Sequence, residues 1–173
     1  KLDGTNWLPQ NDSRKSYGVV SVRKGVTKSV NTIAAQVVSK LTPAASYQFL
    51  TSGLDMRLEA ADDDYAPLAG GQLSIGTTAR DMASAFTIFP NMGIYRKGRT
   101  FSAILDNDDH IVYENSVELR RAISEKTAYW MNDVLEDAVT YGTGAGAKLS
   151  GMHCAGKTGT TTDAKDRWFA GYT

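Results

Sequence analysis

Apolar residues recur at helical spacing in three stretches of this chain. Ile33, Ala34, Val37, Val38 and Leu41 share one face of a helix. Thr78-Ala79-Arg80-Asp81 has the form of a capping box, and the helix it opens turns Ala79, Met82, Ala83 and Phe86 inward before ending at Pro90. Ser124 caps a third helix, whose stripe of Ala128, Met131, Val134, Leu135, Ala138 and Val139 is stopped by Tyr141-Gly142. Two shorter helices are predicted as well. One is capped by Ser21 and runs to about Lys28; the other is opened by Thr42-Pro43 and ended by Gly53, with Ala44, Tyr47 and Leu50 as its apolar residues.

Elsewhere the period shortens to two. Phe101, Ala103 and Leu105 alternate with other residues, Asp106-Asn107-Asp108-Asp109 turns the chain, and Ile111 and Tyr113 alternate again, which predicts a hairpin over 99–115. Tyr17-Gly18-Val19-Val20 reads as a short extended piece. Residues 157–162 and 167–173 read as antiparallel strands around a turn at 162–166. The loops are residues 1–15, polar and carrying Gly4 and Pro9; 54–65, acidic, with Asp62-Asp63-Asp64 as a solvated run; 66–77, rich in glycine; and 143–147, flexible. The pattern predicts an α+β fold. It is helix-rich, with one small β-hairpin and two antiparallel C-terminal strands of an incomplete sheet, because a two-stranded ribbon is marginal alone.

Composition bounds the partners. The 173 residues suffice for one domain with a core, and 42% apolar content is ordinary for a globular chain. Lys+Arg and Asp+Glu are both 19, so the chain lacks the basic surplus that nucleic acid would attract, and no nucleic-acid partner is expected. No apolar run is long enough to span a bilayer, so membrane attachment is expected only through an anchor outside this chain. Cys154 is the single cysteine and makes neither an internal disulfide nor a cysteine-rich metal site. A nucleophilic Cys154 paired with His153 is disfavoured, because neighbours in an extended segment point to opposite faces; packing beside the site is expected instead. Asp106 and Asp108 look like the start of a calcium loop, but His110 and Ile111 stand where an oxygen ligand and a glycine belong. No metal and no cofactor are expected.

The richest chemistry lies at Ala155-Gly156-Lys157-Thr158-Gly159-Thr160-Thr161, which admits two readings. Gly151-Met152-His153-Cys154-Ala155-Gly156-Lys157-Thr158 matches the phosphate-binding loop G-x-x-x-x-G-K-[ST]. That loop needs a buried strand before it and a helix starting at the lysine, and residues 144–150 and 159–162 supply neither. In the second reading Lys157 sits on an edge strand with its cation lining a cleft. Thr158 and Thr160 then share a strand face, Gly159 lets a substrate or another backbone approach, and the Thr160 N–H serves as an oxyanion donor. Ser29-Val30-Asn31 offers such a cleft a hydroxyl that can pass a proton and an amide that can hold a carbonyl. The alternative for Ser29 and Asn31 is that they cap the following helix.

Lys157-Thr158-Gly159-Thr160 is the K-T-G motif, and Ser29-Val30-Asn31 the S-x-N motif, of serine enzymes that react with penicillin. Gly18-Val19-Val20-Ser21-Val22-Arg23, Ala66-Pro67-Leu68-Ala69-Gly70-Gly71, Ile75-Gly76-Thr77-Thr78-Ala79-Arg80-Asp81-Met82 and Asp166-Arg167-Trp168-Phe169-Ala170-Gly171-Tyr172-Thr173 extend the likeness in order along the chain. The whole resembles part of the transpeptidase domain of a class A penicillin-binding protein, in the penicillin-binding and serine β-lactamase-like superfamily. The resemblance implies a D,D-transpeptidase, in which the serine of an S-x-x-K motif attacks the penultimate D-alanine carbonyl of a peptidoglycan stem peptide. The terminal D-alanine leaves, and a neighbouring amine takes the acyl group to form a cross-link; β-lactam antibiotics acylate the same serine. It implies that Ser29 relays a proton to the leaving amine, that Asn31 holds the substrate amide and that Lys157 supplies positive potential. Thr158 and Thr160 then bind the terminal carboxylate beside Gly159. It also implies a parent protein at the outer face of the cytoplasmic membrane of a bacterial envelope, with a glycosyltransferase domain and an anchor elsewhere.

One element of the family pattern is out of place. The S-x-x-K of Ser21-Val22-Arg23-Lys24 lies only eight residues before Ser29, whereas the family separates its first two motifs by a long helix and loop. The nucleophile is expected upstream of Lys1, residues 1–173 are expected to be a partial transpeptidase domain, and the chain alone is expected to be inactive. A serine β-lactamase, a penicillin-binding sensor module and a nucleotide-binding protein are the rival readings; the first lacks its usual glutamate-to-asparagine motif.

Overall fold

The computed structural model describes Leu2 and residues 6–173. Gly4, read above as part of the polar N-terminal loop, lies outside the described residues. The first helix, α1, is Val22–Thr27, and the Ser21 hydroxyl accepts the Lys24 N–H at 3.2 Å to cap it. A second helix, α2 (Asn31–Leu41), crosses it closely at Gly25, where a Cβ would come within 2.5 Å of Ile33 Cγ2. Pro43 opens α3 (Pro43–Gln48), with the Thr42 hydroxyl accepting from Ala45 N, and the chain continues through a π-type turn, Phe49–Gly53.

Past that turn the acidic stretch departs from expectation. Asp62 is fully buried, not solvated. Its carboxylate accepts the Ser74 N–H and hydroxyl, both at 2.7 Å, and the Glu59 N–H at 2.9 Å, which pins the segment after it to the turn before it. Asp64 then caps α4 (Tyr65–Gly70), a helix inside what the glycine content reads as loop.

Two further helices contribute to the core. Thr78 caps α5 (Ala79–Phe86) through the Asp81 N–H, as the capping box predicts. Its inward face is rotated from the predicted one: Ser84 and Ala85 are buried, while Ala79 and Ala83 are exposed. The cause is Ile88, in the turn beyond the helix, which joins Ala85, Leu54, Met56 and the later Tyr95 in one buried cluster, with Met82 and Phe89 against it. A similar rotation affects α2, where Ala35 is buried and Val37 and Leu41 are exposed. In α6 (Glu125–Thr140) the prediction holds closely, with Ala128, Leu135, Ala138 and Val139 buried and Ser124 as the cap.

The strands form antiparallel pairs. The predicted hairpin is present as β2 (Ala103–Leu105) with β3 (Ile111–Glu114), bulged between Ile104 and Leu105. An unanticipated pair flanks it, with β1 (Ile94–Arg96) beside β4 (Leu119–Arg121). At the C-terminal end, β5 (Ala155–Thr160) pairs with β6 (Arg167–Tyr172), setting Lys157 opposite Ala170 and Thr160 opposite Arg167. The piece at 17–20 is not a strand: Gly18 has φ of 63°, and Val19 projects fully into solvent. Among the described residues no helix is long and apolar enough to cross a membrane. The arrangement is the α+β fold read from the sequence, with helices packed around short antiparallel pairs.

Candidate active site

The site forms where the turn between α1 and α2 meets strand β5. At the end of α1 the chain reverses tightly, with Ser29 N–H bonding Val26 O at 3.1 Å and Val30 N–H bonding Gly25 O at 2.8 Å. Ser29 takes a left-handed backbone, φ 53°, which is uncommon for a residue other than glycine and marks a position held by its surroundings. Val30 is buried beneath it and Ser29 is exposed. Across the gap, Lys157 Nζ donates to Ser29 Oγ at 2.8 Å and to the Thr158 carbonyl at 3.0 Å. The Lys157 side chain is half-buried, and desolvation lowers its pKa from the ordinary lysine value.

Asn31 begins α2, and its amide donates to Gln10 O at 2.9 Å. The capping alternative for Ser29 and Asn31 does not hold. Val30 occupies the cap position without a side-chain bond, and the cap comes from Asn11, whose Oδ1 accepts from Thr32 N at 3.1 Å and Thr32 Oγ1 at 3.2 Å. Both motif side chains are therefore free of helix capping, and this function of Asn11 is invisible in the sequence because the contact spans a long loop.

Thr143, read from the sequence as part of a flexible loop, is a structural node. Its N–H bonds Thr27 O at 3.1 Å and its hydroxyl meets Thr158 Oγ1 at 2.8 Å, so one residue ties the end of α1 to β5. Gly142 makes the approach possible, since a Cβ there would come within 2.4 Å of Thr27 O. Lys28 closes the same corner by donating to Tyr141 O at 2.7 Å. Farther along, Arg23 forks onto Asp133 and Asp137 and fixes α1 against α6; the paired carboxylates raise the Arg23 pKa.

Gly159 and Thr160 are exposed at the far end of β5. A Cβ at Gly159 would make only ordinary contact, 3.5 Å from Trp168 Cβ, so the fold itself does not demand glycine there. Gly156 differs, because a Cβ would meet Phe169 Cζ at 2.5 Å.

The rival chemistries are placed elsewhere. Lys157 lies inside a strand and no helix begins at it, so the phosphate-loop reading is overturned. Cys154 is buried while His153 is exposed and contacts Glu136 at 2.6 Å instead of the thiol. The Ser21 hydroxyl is engaged in capping α1. Asp106, Asp108 and His110 have potential ligand atoms within 4.8 Å of one another in the exposed hairpin turn. The Asp106 carboxylate there already accepts the backbone N–H groups of Asp108 and His110, each at 2.9 Å, which shapes the turn.

Comparison with known proteins gives the family and the fold. Residues 2–173 match the family described as penicillin binding protein transpeptidase domain. Penicillin-binding protein 1A of Clostridium acetobutylicum is 34% identical over 177 residues, covering 99% of this chain and 21% of that protein. Penicillin-binding protein A from M. tuberculosis, solved as an imipenem acyl-enzyme complex, superposes with a TM-score of 0.77 at 20% identity, covering 99% of this chain and 44% of that one. Penicillin-binding protein 1A from Haemophilus influenzae gives a TM-score of 0.79 at 19% identity, covering 99% and 31%. At these identities the structural likeness speaks to the fold. The chain spans about a fifth of the length of the first curated relatives it matches. By the match along nearly its whole length, this chain belongs to the penicillin-binding protein transpeptidase domain family.

Proposed function

We propose that this chain is part of a serine D,D-transpeptidase that cross-links peptidoglycan stem peptides and is acylated by β-lactams. The observation that carries the reading is the 2.8 Å bond from Lys157 to Ser29, which joins two motif segments 128 residues apart. The serine of an S-x-x-K motif attacks the penultimate D-alanine carbonyl, the C–N bond to the terminal D-alanine breaks, and the leaving amine takes a proton. An amine of a second stem peptide then displaces the serine and restores its proton.

In this scheme Ser29 passes the proton to the leaving amine. Its hydroxyl oxygen accepts from Lys157, which leaves its own hydrogen free to be donated. Lys157 replenishes that proton and holds positive potential near the developing negative charge; desolvation eases its deprotonation. Asn31 holds the acyl-donor amide. Thr158 and Thr160 bind the terminal carboxylate, Gly159 keeps the strand approachable, and the Thr160 N–H faces the oxyanion. The nucleophile is a serine other than Ser21, because the Ser21 hydroxyl caps α1. The parent protein acts at the outer face of the cytoplasmic membrane.

The test is labelling by a fluorescent penicillin of the natural-length protein that contains these residues, read after denaturing electrophoresis. Labelling that persists in Ser21→Ala and falls in Lys157→Ala and Ser29→Ala is the expected result. A covalent band abolished by Ser21→Ala would overturn the nucleophile assignment. Labelling without transfer to an acceptor peptide would point to a sensor.

A further inference from the structure

Away from Lys157, the segment Arg96-Lys97-Gly98-Arg99 folds against α5 and brings Arg80 beside it. Two adjoining cavities of about 300 and 320 Å³ share Arg80, Lys97 and Arg99 as walls, and Arg96 lines the first. Glu118 is the lone carboxylate among their lining residues. In a chain whose basic and acidic residues balance at 19 each, this is a local excess of cation. The nearby carboxylates offset it poorly. Arg80 meets Asp81 at 3.3 Å, while Asp55 reaches Lys97 only at 3.7 Å and is held by Arg120 at 2.6 Å. Glu118 turns to Arg120 at 3.7 Å, Arg99 donates to the Asn115 carbonyl, and Arg96 makes no ion pair among the described residues.

The loop is tied to α5 at Gly98. The Gly98 N–H donates to Ser84 Oγ at 3.0 Å, and that hydroxyl donates to Arg80 O at 2.8 Å. A Cβ on Gly98 would lie 2.6 Å from Ser84 Oγ, so the loop lies flat on the helix. All four cations face solvent, so their mutual repulsion is modest but of one sign. A bound oxyanion removes that cost. Three of the four cations are arginines, whose planar donor fork matches phosphate oxygens.

We propose that this basic surface binds a phosphate-bearing ligand. The source of the phosphate, soluble or a lipid headgroup, is for the experiment to decide. Calorimetric titration of the full chain with pyrophosphate is expected to show saturable binding that weakens steeply with salt. Arg96→Gln/Arg99→Gln is expected to weaken it about a hundredfold, each lost charged hydrogen bond being worth about a factor of ten. Both side chains are exposed, and an unchanged melting temperature verifies that this variant folds. Co-sedimentation with phosphatidylglycerol vesicles, against phosphatidylcholine alone, is the second arm. Binding in either arm that the double variant loses supports the site and identifies the source. No binding in both arms, binding that the variant retains, or succinate binding as tightly as pyrophosphate would each overturn it.

Discussion

Lys157 Nζ and Ser29 Oγ lie 2.8 Å apart across the gap between a strand and a helical turn, and no residue intervenes. The bond is the direct contact between the two motifs. In the proposed mechanism it carries proton transfer, and removing one partner disables both. Lys157→Ala is expected to lower the rate of β-lactam acylation of the natural-length protein about 100- to 10,000-fold, the range of positioned acid–base groups. Stopped-flow acylation kinetics check it; a loss of less than about tenfold would demote Lys157 to a structural role.

The lowered pKa of Lys157 also has a sign in stability. Below the lowered value both folded and unfolded chains carry the proton, and the cost of burying the cation is felt in full. As pH rises from there to the ordinary value of 10.5, the folded state releases its proton first and the cost is relieved. Relative to Lys157→Met, the chain is expected to gain stability with rising pH across that window. Melting temperatures of the two chains against pH measure it, and parallel curves would contradict it.

Thr143 holds Thr158 through a bond between hydroxyls. Thr143→Val is expected to lower kcat/KM for acylation about 5- to 10-fold, the worth of one ordinary hydrogen bond. Thr143→Ser, which restores the hydroxyl, is expected to recover most of it. Failure of the serine to rescue would assign the effect to the methyl group.

Burial pushes the Asp62 pKa up, but hydrogen bonds from Ser74 and Glu59 outweigh it and hold the carboxyl below its ordinary range. Its contribution is therefore present above the unfolded value and is lost as pH falls through the lowered folded one. Asp62→Ala is expected to cost about 2–4 kcal/mol in urea denaturation at neutral pH, because it removes three hydrogen bonds to a buried carboxylate. A change under about 1 kcal/mol would mean that water takes over the donors.

Gly25→Ala drives a methyl group into Ile33, with the contact at 2.5 Å. Separation of α1 from α2 and a loss of about 1–3 kcal/mol are expected, typical of overpacking. Because Ser29 sits in the turn between them, penicillin labelling is expected to fall more than stability alone dictates.

Helix α6, the hairpin and the strands around Lys157 are legible in the sequence because their apolar periods are regular or their motif is specific. What escapes has particular causes. Asp62 reads as solvated because three aspartates in a row look like surface, and its donors in Ser74 and Glu59 carry no local signal. β1 and β4 escape because their arginines mask a strand pattern: the Arg120 guanidinium lies 4.7 Å from the Tyr95 ring centroid and its stem covers that buried ring. Thr143 escapes because glycine neighbours suggest mobility, whereas Gly142 is there for close approach to Thr27. Ser29 and Asn31 are recognisable as a motif, but only the structure shows that Asn11 relieves them of capping.

An ammonium group can donate in three directions. Lys157 uses two of them, toward Ser29 Oγ and Thr158 O. The third direction meets no acceptor among the described residues. An arriving acceptor can fill it with neither existing bond broken, so occupation of the cleft adds a contact without dismantling its wall.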